Sequence, residues 1–118
     1  MKPNTIAKSL AIGNPADGIN AINLLNSIDS YSEDVSDPEI IDAMKLLAET
    51  EGIFTETAGG VTLASAKKLI DSGRIPRNES IVLVITGNGL KTQDPLVNNI
   101  SKPYIIEPKI EDFKKIFG

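Results

Sequence analysis

An unbroken apolar run, Ile81-Val82-Leu83-Val84-Ile85, leads directly into Thr86 and then into Gly87-Asn88-Gly89. Such a run, rich in β-branched residues, is typical of a strand that is covered on both faces in a parallel sheet. The carboxyl ends of parallel strands are where open α/β sheets bind their ligands. We therefore predict a buried strand over residues 80–85, after which Thr86 is either an ordinary strand end or a side chain presented to a ligand.

Helical patterns alternate with shorter apolar segments along the rest of the chain. Apolar residues recur at helical spacing in four stretches, with capping residues or glycines at several of their ends. We predict helices over residues 14–28, 36–51, 58–72 and 110–117, and short strands over residues 31–35 and 104–106. Alternating helices and apolar strands indicate an α/β fold. The prediction is a single domain, residues 1–118, that forms part of a three-layer (αβα) parallel sheet.

The composition excludes several classes of site. The 118 residues include no Cys and no His, which rules out disulfides, thiol chemistry, imidazole zinc sites and Ser-His-Asp catalysis. The net charge is −4 and only 4% of residues are aromatic, whereas a nucleic-acid binder normally shows a basic stripe with interleaved aromatics. No apolar run is long enough for a signal peptide or a membrane span. We therefore expect no nucleic acid, no membrane and a cytoplasmic location.

Three other patterns have both a structural and a functional interpretation. Asn88-Gly89 fits a tight turn, or a ligand-binding loop because the next segment lacks the alternation of a hairpin partner. Ala58-Gly59-Gly60 allows either an anion at a helix start or tight packing of that helix against the sheet. Glu51 and Glu56 suggest a catalytic carboxylate pair, although charged residues are usually solvated. Lys91 is either structural or close to a ligand.

Four stretches of the chain, taken in order, resemble one enzyme family. They are TIAKSLAIGNP at 5–15, VSDPEI at 35–40, EGIFTETAGG at 51–60 and VLVITGNGLK at 82–91. Together they resemble the C-terminal part of threonine synthase, a pyridoxal-phosphate enzyme of the tryptophan-synthase-β-like class with fold type II. The similarity extends over about residues 4–110, and its specific part is TGNGLK following an apolar run.

The resemblance implies a cofactor and a reaction. In this family pyridoxal phosphate forms an imine with O-phosphohomoserine, phosphate is eliminated, and water adds to give threonine. A Ser or Thr hydroxyl faces the pyridine nitrogen of the cofactor in this fold. The family motif assigns that role to Thr86, with Gly87 and Asn88 beside it in the cofactor site. A neutral hydroxyl hydrogen-bonds the nitrogen without fixing a positive charge on it.

The chain departs from the family pattern at two positions and in length. Thr57 stands where the family usually has Pro, and Thr92 stands where it usually has an acid. Family members are much longer, and their N-terminal part carries both the Schiff-base lysine and the loop that grips the cofactor phosphate. Lys67, Lys68 and Lys91 do not stand in the sequence context of that lysine. We therefore expect pyridoxal phosphate to bind only together with an N-terminal threonine synthase chain.

The resulting interpretation is a C-terminal piece of threonine synthase that forms one wall of the pyridoxal-phosphate site and is inactive alone. An expressed fragment and one chain of a split enzyme both fit this interpretation. One alternative is a related lyase, either threonine dehydratase or cysteate synthase. The TGNGLK motif argues against threonine dehydratase and less firmly against cysteate synthase. Another alternative is a non-catalytic interaction module derived from such an enzyme. The unpaired edge of a partial sheet also predicts self-association.

Overall fold

The computed structural model of the protein describes residues 2–100 and 102–118, and its regular structure there is helical. The helices are α1 (Gly18–Ser27), α2 (Asp37–Glu51), α3 (Thr57–Asp71), α4 (Asp94–Val97) and α5 (Ile110–Phe117), with 3₁₀ turns at Lys8–Leu10 and Gly89–Lys91. The four predicted helices are confirmed, although α1 begins later than predicted. Met1 and Ser101 lie outside the described residues, and the single domain over residues 1–118 stays a prediction.

The predicted strands do not form, and the predicted three-layer parallel sheet is wrong. Within residues 2–100 and 102–118 no strand is present, and the β-type pairing is limited to one antiparallel bridge between Thr55 and Asn88. The run at residues 80–85 is largely open to solvent, with Val82 86% exposed and Val84 67% exposed. The segments at 31–35 and 104–106 form no strand either, and Ile105 is 97% exposed.

Among the described residues, the run at residues 80–85 has no hydrogen-bonded neighbour, and this explains the missing strand. In the described part of the chain, no backbone hydrogen bond involves the N–H or C=O groups of residues 80–86. Ile81 and Leu83 line a cavity of about 380 Å³ together with side chains of α2 and α3, so only one side of the run meets protein. A strand requires a ladder of hydrogen bonds to a neighbour, and an apolar run alone does not supply that neighbour.

Helix α2 begins and ends where its sequence signals predict. The Glu39 carboxylate accepts hydrogen bonds from the Ser36 backbone N–H at 2.6 Å and from the Ser36 hydroxyl at 2.7 Å. These bonds lower the pKa of Glu39 below its ordinary value of 4.5. Pro38 occupies the first turn, where its missing N–H needs no partner. Gly52 ends the helix in the left-handed conformation, with φ of 67°, which glycine adopts without strain.

Helices α2 and α3 pack against each other and supply most of the core. Their buried apolar residues are Ile40, Ala43, Met44 and Leu47 of α2, and Ala64 and Leu69 of α3. The helices approach closely, since a Cβ added to Gly60 would lie 2.8 Å from the Ile40 carbonyl oxygen. Ala7 and Leu96 join the cluster around Ile40 from the N-terminal segment and α4. Gly60 therefore allows close packing of α3, as the second interpretation of this glycine pair predicts. The surface that contacts it is helix α2 rather than a sheet.

Helices α1 and α5 do not join this core. Neither contains a buried residue, and their apolar side chains, such as Ile19 and Phe113, are exposed. The radius of gyration is 18.8 Å, whereas a compact chain of this length would have about 13.5 Å. The extended shape leaves a large apolar surface open. Among the described residues, no helix combines the length and the apolar character needed to cross a membrane.

Candidate functional site

Two segments that are far apart in the sequence meet at the start of α3. One is residues 86–92, here called the glycine turn, which contains the predicted cofactor-binding residues. The other is residues 54–57, here called the docking segment, which leads into α3. An antiparallel bridge pairs Thr55 of the docking segment with Asn88 of the glycine turn. The structure thus joins two of the four stretches on which the family resemblance rests.

Backbone hydrogen bonds hold the glycine turn on the docking segment. The Gly89 N–H donates to the Phe54 carbonyl at 2.9 Å, and the Glu56 N–H donates to the Gly87 carbonyl at 3.1 Å. A Cβ on Gly89 would lie 2.5 Å from the Phe54 ring, and a Cβ on Gly87 would overlap the Glu56 carboxylate. Neither glycine has a positive φ. Close approach rather than a left-handed turn therefore favours glycine at both positions, most clearly at Gly89, which faces an aromatic ring, whereas Gly87 faces the end of the flexible Glu56 side chain.

The three predicted cofactor-binding residues lie together, but they differ in what they offer to a ligand. The Thr86 side chain is exposed, and no buried strand delivers it. Gly87 is half-buried beneath the Glu56 carboxylate. The side-chain oxygen of Asn88 accepts the Leu90 N–H at 2.8 Å and so caps the 3₁₀ turn. Thr86 and Asn88 are both exposed, but the Asn88 oxygen already accepts a hydrogen bond. The three cofactor roles stay predictions.

One ion pair connects the glycine turn to the docking segment. The side chain of Glu56 is 12% exposed, and its Oε1 lies 3.9 Å from Nζ of Lys91. An ion pair at this separation, with a largely exposed lysine, contributes little to stability. Glu51 lies on the exposed C-terminal end of α2, whereas Glu56 occupies the N-cap position of α3 and its side chain makes no capping hydrogen bond. In the described ranges no cluster of side chains is suited to hold a metal ion.

Two buried threonines of the docking segment were not predicted as part of the site. Thr55 and Thr57 are both 0% exposed. The Thr55 hydroxyl lies 3.2 Å from the carbonyl oxygen of Glu56 and 3.3 Å from that of Gly87. The Thr57 hydroxyl has no partner in the described part of the chain, while the Thr57 N–H donates to the Thr92 hydroxyl oxygen at 3.2 Å. Nothing local to Thr55 or Thr57 predicts the contacts with residues 87 and 92, which lie 32 and 35 positions away.

Known proteins match this chain over nearly its whole length. The family model for "Pyridoxal-phosphate dependent enzyme" matches residues 1–87 and so includes Thr86 and Gly87. The threonine synthase of Methanocaldococcus jannaschii is 42% identical over 114 residues, which are 97% of this chain and 28% of the relative. The threonine synthase of Bacillus sp. (strain ULM1) is 41% identical over 98 residues, 83% of this chain and 28% of the relative. That of Methanosarcina acetivorans is 34% identical over 117 residues, 98% of this chain and 29% of the relative.

These matches confirm the resemblance that the sequence motifs indicate. They also show that the chain spans only 28% to 29% of the length of these three relatives. Because the family model covers residues 1–87 of the 118, the chain belongs to the family of pyridoxal-phosphate-dependent enzymes.

Proposed function

We propose that this chain is part of a threonine synthase and that its glycine turn offers the Thr86 hydroxyl to the pyridine nitrogen of pyridoxal phosphate. The similarity to threonine synthases, at 34% to 42% identity over most of the chain, supports the choice of enzyme. The match covers less than a third of each relative, so the remaining walls of the site belong to the rest of the enzyme. That remainder is either the same polypeptide or an N-terminal partner chain.

The proposal rests on one observation: the Thr86 hydroxyl is exposed and stands next to a turn whose backbone is hydrogen-bonded to the docking segment. Thr86 precedes Gly87, whose carbonyl accepts the Glu56 N–H, and the Gly89 N–H is bound two residues further on. These bonds restrain the backbone that carries Thr86 while its side chain stays open. Restraint of the neighbouring backbone reduces the conformational entropy that this part of the chain loses when a ligand binds.

The neutral hydroxyl of Thr86 fits the pyridine nitrogen of the cofactor. The Thr86 hydroxyl is neutral, so it donates a hydrogen bond to the nitrogen without protonating it. Lys91 pairs with Glu56 and stands outside the family's lysine context. Bound pyridoxal phosphate supplies the electron sink for the chemistry, while the protein orients the ring and tunes its nitrogen. The lysine and the phosphate-binding loop therefore have to come from the rest of the enzyme.

The test is a chimeric enzyme in which this chain replaces the matching segment of the M. jannaschii threonine synthase. Thr86→Val keeps the branched shape and removes the hydroxyl, whereas Thr86→Ser keeps the hydroxyl. An unpaired buried polar group costs about 1–3 kcal/mol, so Thr86→Val should lower turnover about ten- to a hundredfold. Thr86→Ser should retain most activity. Thr50→Val, the same chemical change at the end of α2, serves as the control and should change nothing.

Each outcome of this experiment has a defined meaning. Equal turnover for Thr86→Val and Thr86→Ser, at equal cofactor occupancy, would remove Thr86 from the site. A chimera that dehydrates threonine but forms none from O-phosphohomoserine would favour a related lyase such as threonine dehydratase. A chimera that binds cofactor fully and catalyses neither reaction would favour the non-catalytic module. The threonine synthase proposal requires threonine and phosphate to form in equal amounts.

A further inference from the structure

Thr57 and Thr92 contact each other where the docking segment enters α3. Thr57 is the first residue of α3, and its N–H donates to Thr92 Oγ1 at 3.2 Å. The first amides of a helix have no partner within the helix. Because Thr57 is fully buried, water does not satisfy this N–H. Removal of the Thr92 oxygen would therefore leave a buried donor unpaired.

The sequence resemblance marks the same two residues as departures from the family pattern. A proline at position 57 has no N–H and so would need no acceptor at position 92. Its ring carbon, bonded to the nitrogen, would lie within the 3.2 Å that now separates that nitrogen from Thr92 Oγ1. The contact therefore links the two residue types. A donor at position 57 requires an acceptor at position 92, whereas a proline at position 57 requires none and cannot lie against the Thr92 oxygen where that oxygen now stands.

Thr92 also ends the glycine turn. Its own N–H donates to the Gly89 carbonyl at 3.0 Å, so its backbone closes the 3₁₀ turn while its side chain reaches α3. At the other end of the turn, the Gly87 carbonyl accepts the Glu56 N–H. The glycine turn is thus held at Gly87 and at Thr92, and Thr86 lies directly before the first of these points.

We propose that Thr92 is a positioning residue for Thr86. By accepting the Thr57 N–H, it fixes the far end of the glycine turn on α3 and thereby sets the orientation of the Thr86 hydroxyl. The value of that orientation for catalysis rests on the proposed function. The contact itself does not, and it can be tested on this chain without cofactor.

The first test is a mutant cycle measured by chemical denaturation of the whole chain. Thr92→Ala removes the acceptor and should lower the folding equilibrium constant on the order of tenfold. Thr92→Ser keeps the acceptor and should lower it much less. In a Thr57→Val background, which keeps the N–H, Thr92→Ala should again lower the folding equilibrium constant by about the same factor. In a Thr57→Pro background, which has no N–H, Thr92→Ala should leave the constant unchanged or raise it. An equal loss in all three backgrounds would refute the link between the two positions.

The second test reads the position of the turn directly and needs no proline variant. In Thr92→Ala the Thr57 amide should exchange with solvent faster, and the amide chemical shifts of Gly87 and Asn88 should move. Thr92→Ser should leave both close to those of the native chain. A loss of stability without these local changes would mean that Thr92 stabilises the fold without positioning the turn, and would overturn the proposal.

The two proposals fail in different experiments. If the mutant cycle and the amide chemical shifts behave as expected but Thr86→Val does not change turnover of the chimeric enzyme, the proposed function is wrong and the Thr57–Thr92 contact stands. If the Thr86 variants behave as expected but the cycle shows no coupling, only the role of Thr92 is wrong.

Discussion

Replacing Thr57 by valine should stabilise the chain, although the change deletes a polar group next to the site. The Thr57 hydroxyl is 0% exposed and has no hydrogen-bond partner among the described residues. A buried polar group without a partner costs about 1–3 kcal/mol relative to its hydrated state. Valine has nearly the same volume and the same branch at Cβ, so it restricts the side chain similarly and creates no cavity. The N–H of residue 57 is unchanged, and its bond to Thr92 remains.

The expected gain is about 1–2 kcal/mol, which corresponds to a rise in Tm of roughly 4–8 °C for a chain of this size. Thr55→Val is the matched control, because Thr55 is equally buried and only two residues away. Its hydroxyl lies within hydrogen-bond distance of the Glu56 and Gly87 carbonyls. Loss of that bond should destabilise the chain by about 0.5–1.5 kcal/mol.

The assay is thermal and urea denaturation of the native chain and the two variants, followed by circular dichroism. We expect shifts of opposite sign for the same chemical change at these two buried threonines. If Thr57→Val destabilised the chain as much as Thr55→Val, the Thr57 hydroxyl would have to be satisfied in solution. The account of the start of α3 given above would then be wrong.

Three further predictions concern the chain as a whole. Incubated alone with pyridoxal phosphate, it should form no threonine and give no borohydride-reducible adduct at one specific lysine, which mass spectrometry after reduction would detect. It should self-associate through the unpaired run at residues 80–86, so its sedimentation should depend on concentration. Val82→Lys combined with Val84→Lys should suppress that dependence, while Ile105→Lys, at an equally exposed site, should not. Acid should weaken α2, because the lowered pKa of Glu39 provides stability that is present above about pH 4.5 and is lost as the pH falls through the folded-state pKa. Glu39→Gln should flatten that part of the stability curve, and an unchanged acid transition would exclude the Ser36–Glu39 pair as its cause.

The helices are predictable from the sequence because residues a few positions apart specify them. The Ser36–Glu39 cap and Gly52 delimit α2, and both contacts form within a single turn of chain. The apolar stripe of Ile40 and Met44 likewise follows from helical spacing, and both residues are buried. Even α5 forms where its pattern predicts, although its apolar face stays exposed.

The sheet is not predictable in the same way, because a strand depends on residues elsewhere in the chain. The run at residues 80–85 has the composition of a buried strand, yet within the described ranges it has no hydrogen-bonded neighbour. The same holds for the candidate site, where local features were predictable and long-range contacts were not. A motif identifies the turn around Thr86, whereas the contact between Thr57 and Thr92 spans 35 positions and has no local signal. The sequence marks both residues only as departures from a family pattern.

The spacing of that contact also sets an order of assembly. Helices α2 and α3 are consecutive and joined by a short connection, so their packing forms a hairpin of mostly local contacts, which folds quickly. Docking the glycine turn on α3 instead closes a loop of 35 residues, which costs about 3 kcal/mol of chain entropy. A few hydrogen bonds and one weak ion pair offset that cost. The hairpin therefore forms first and melts last, and the turn that carries Thr86 docks late and opens early.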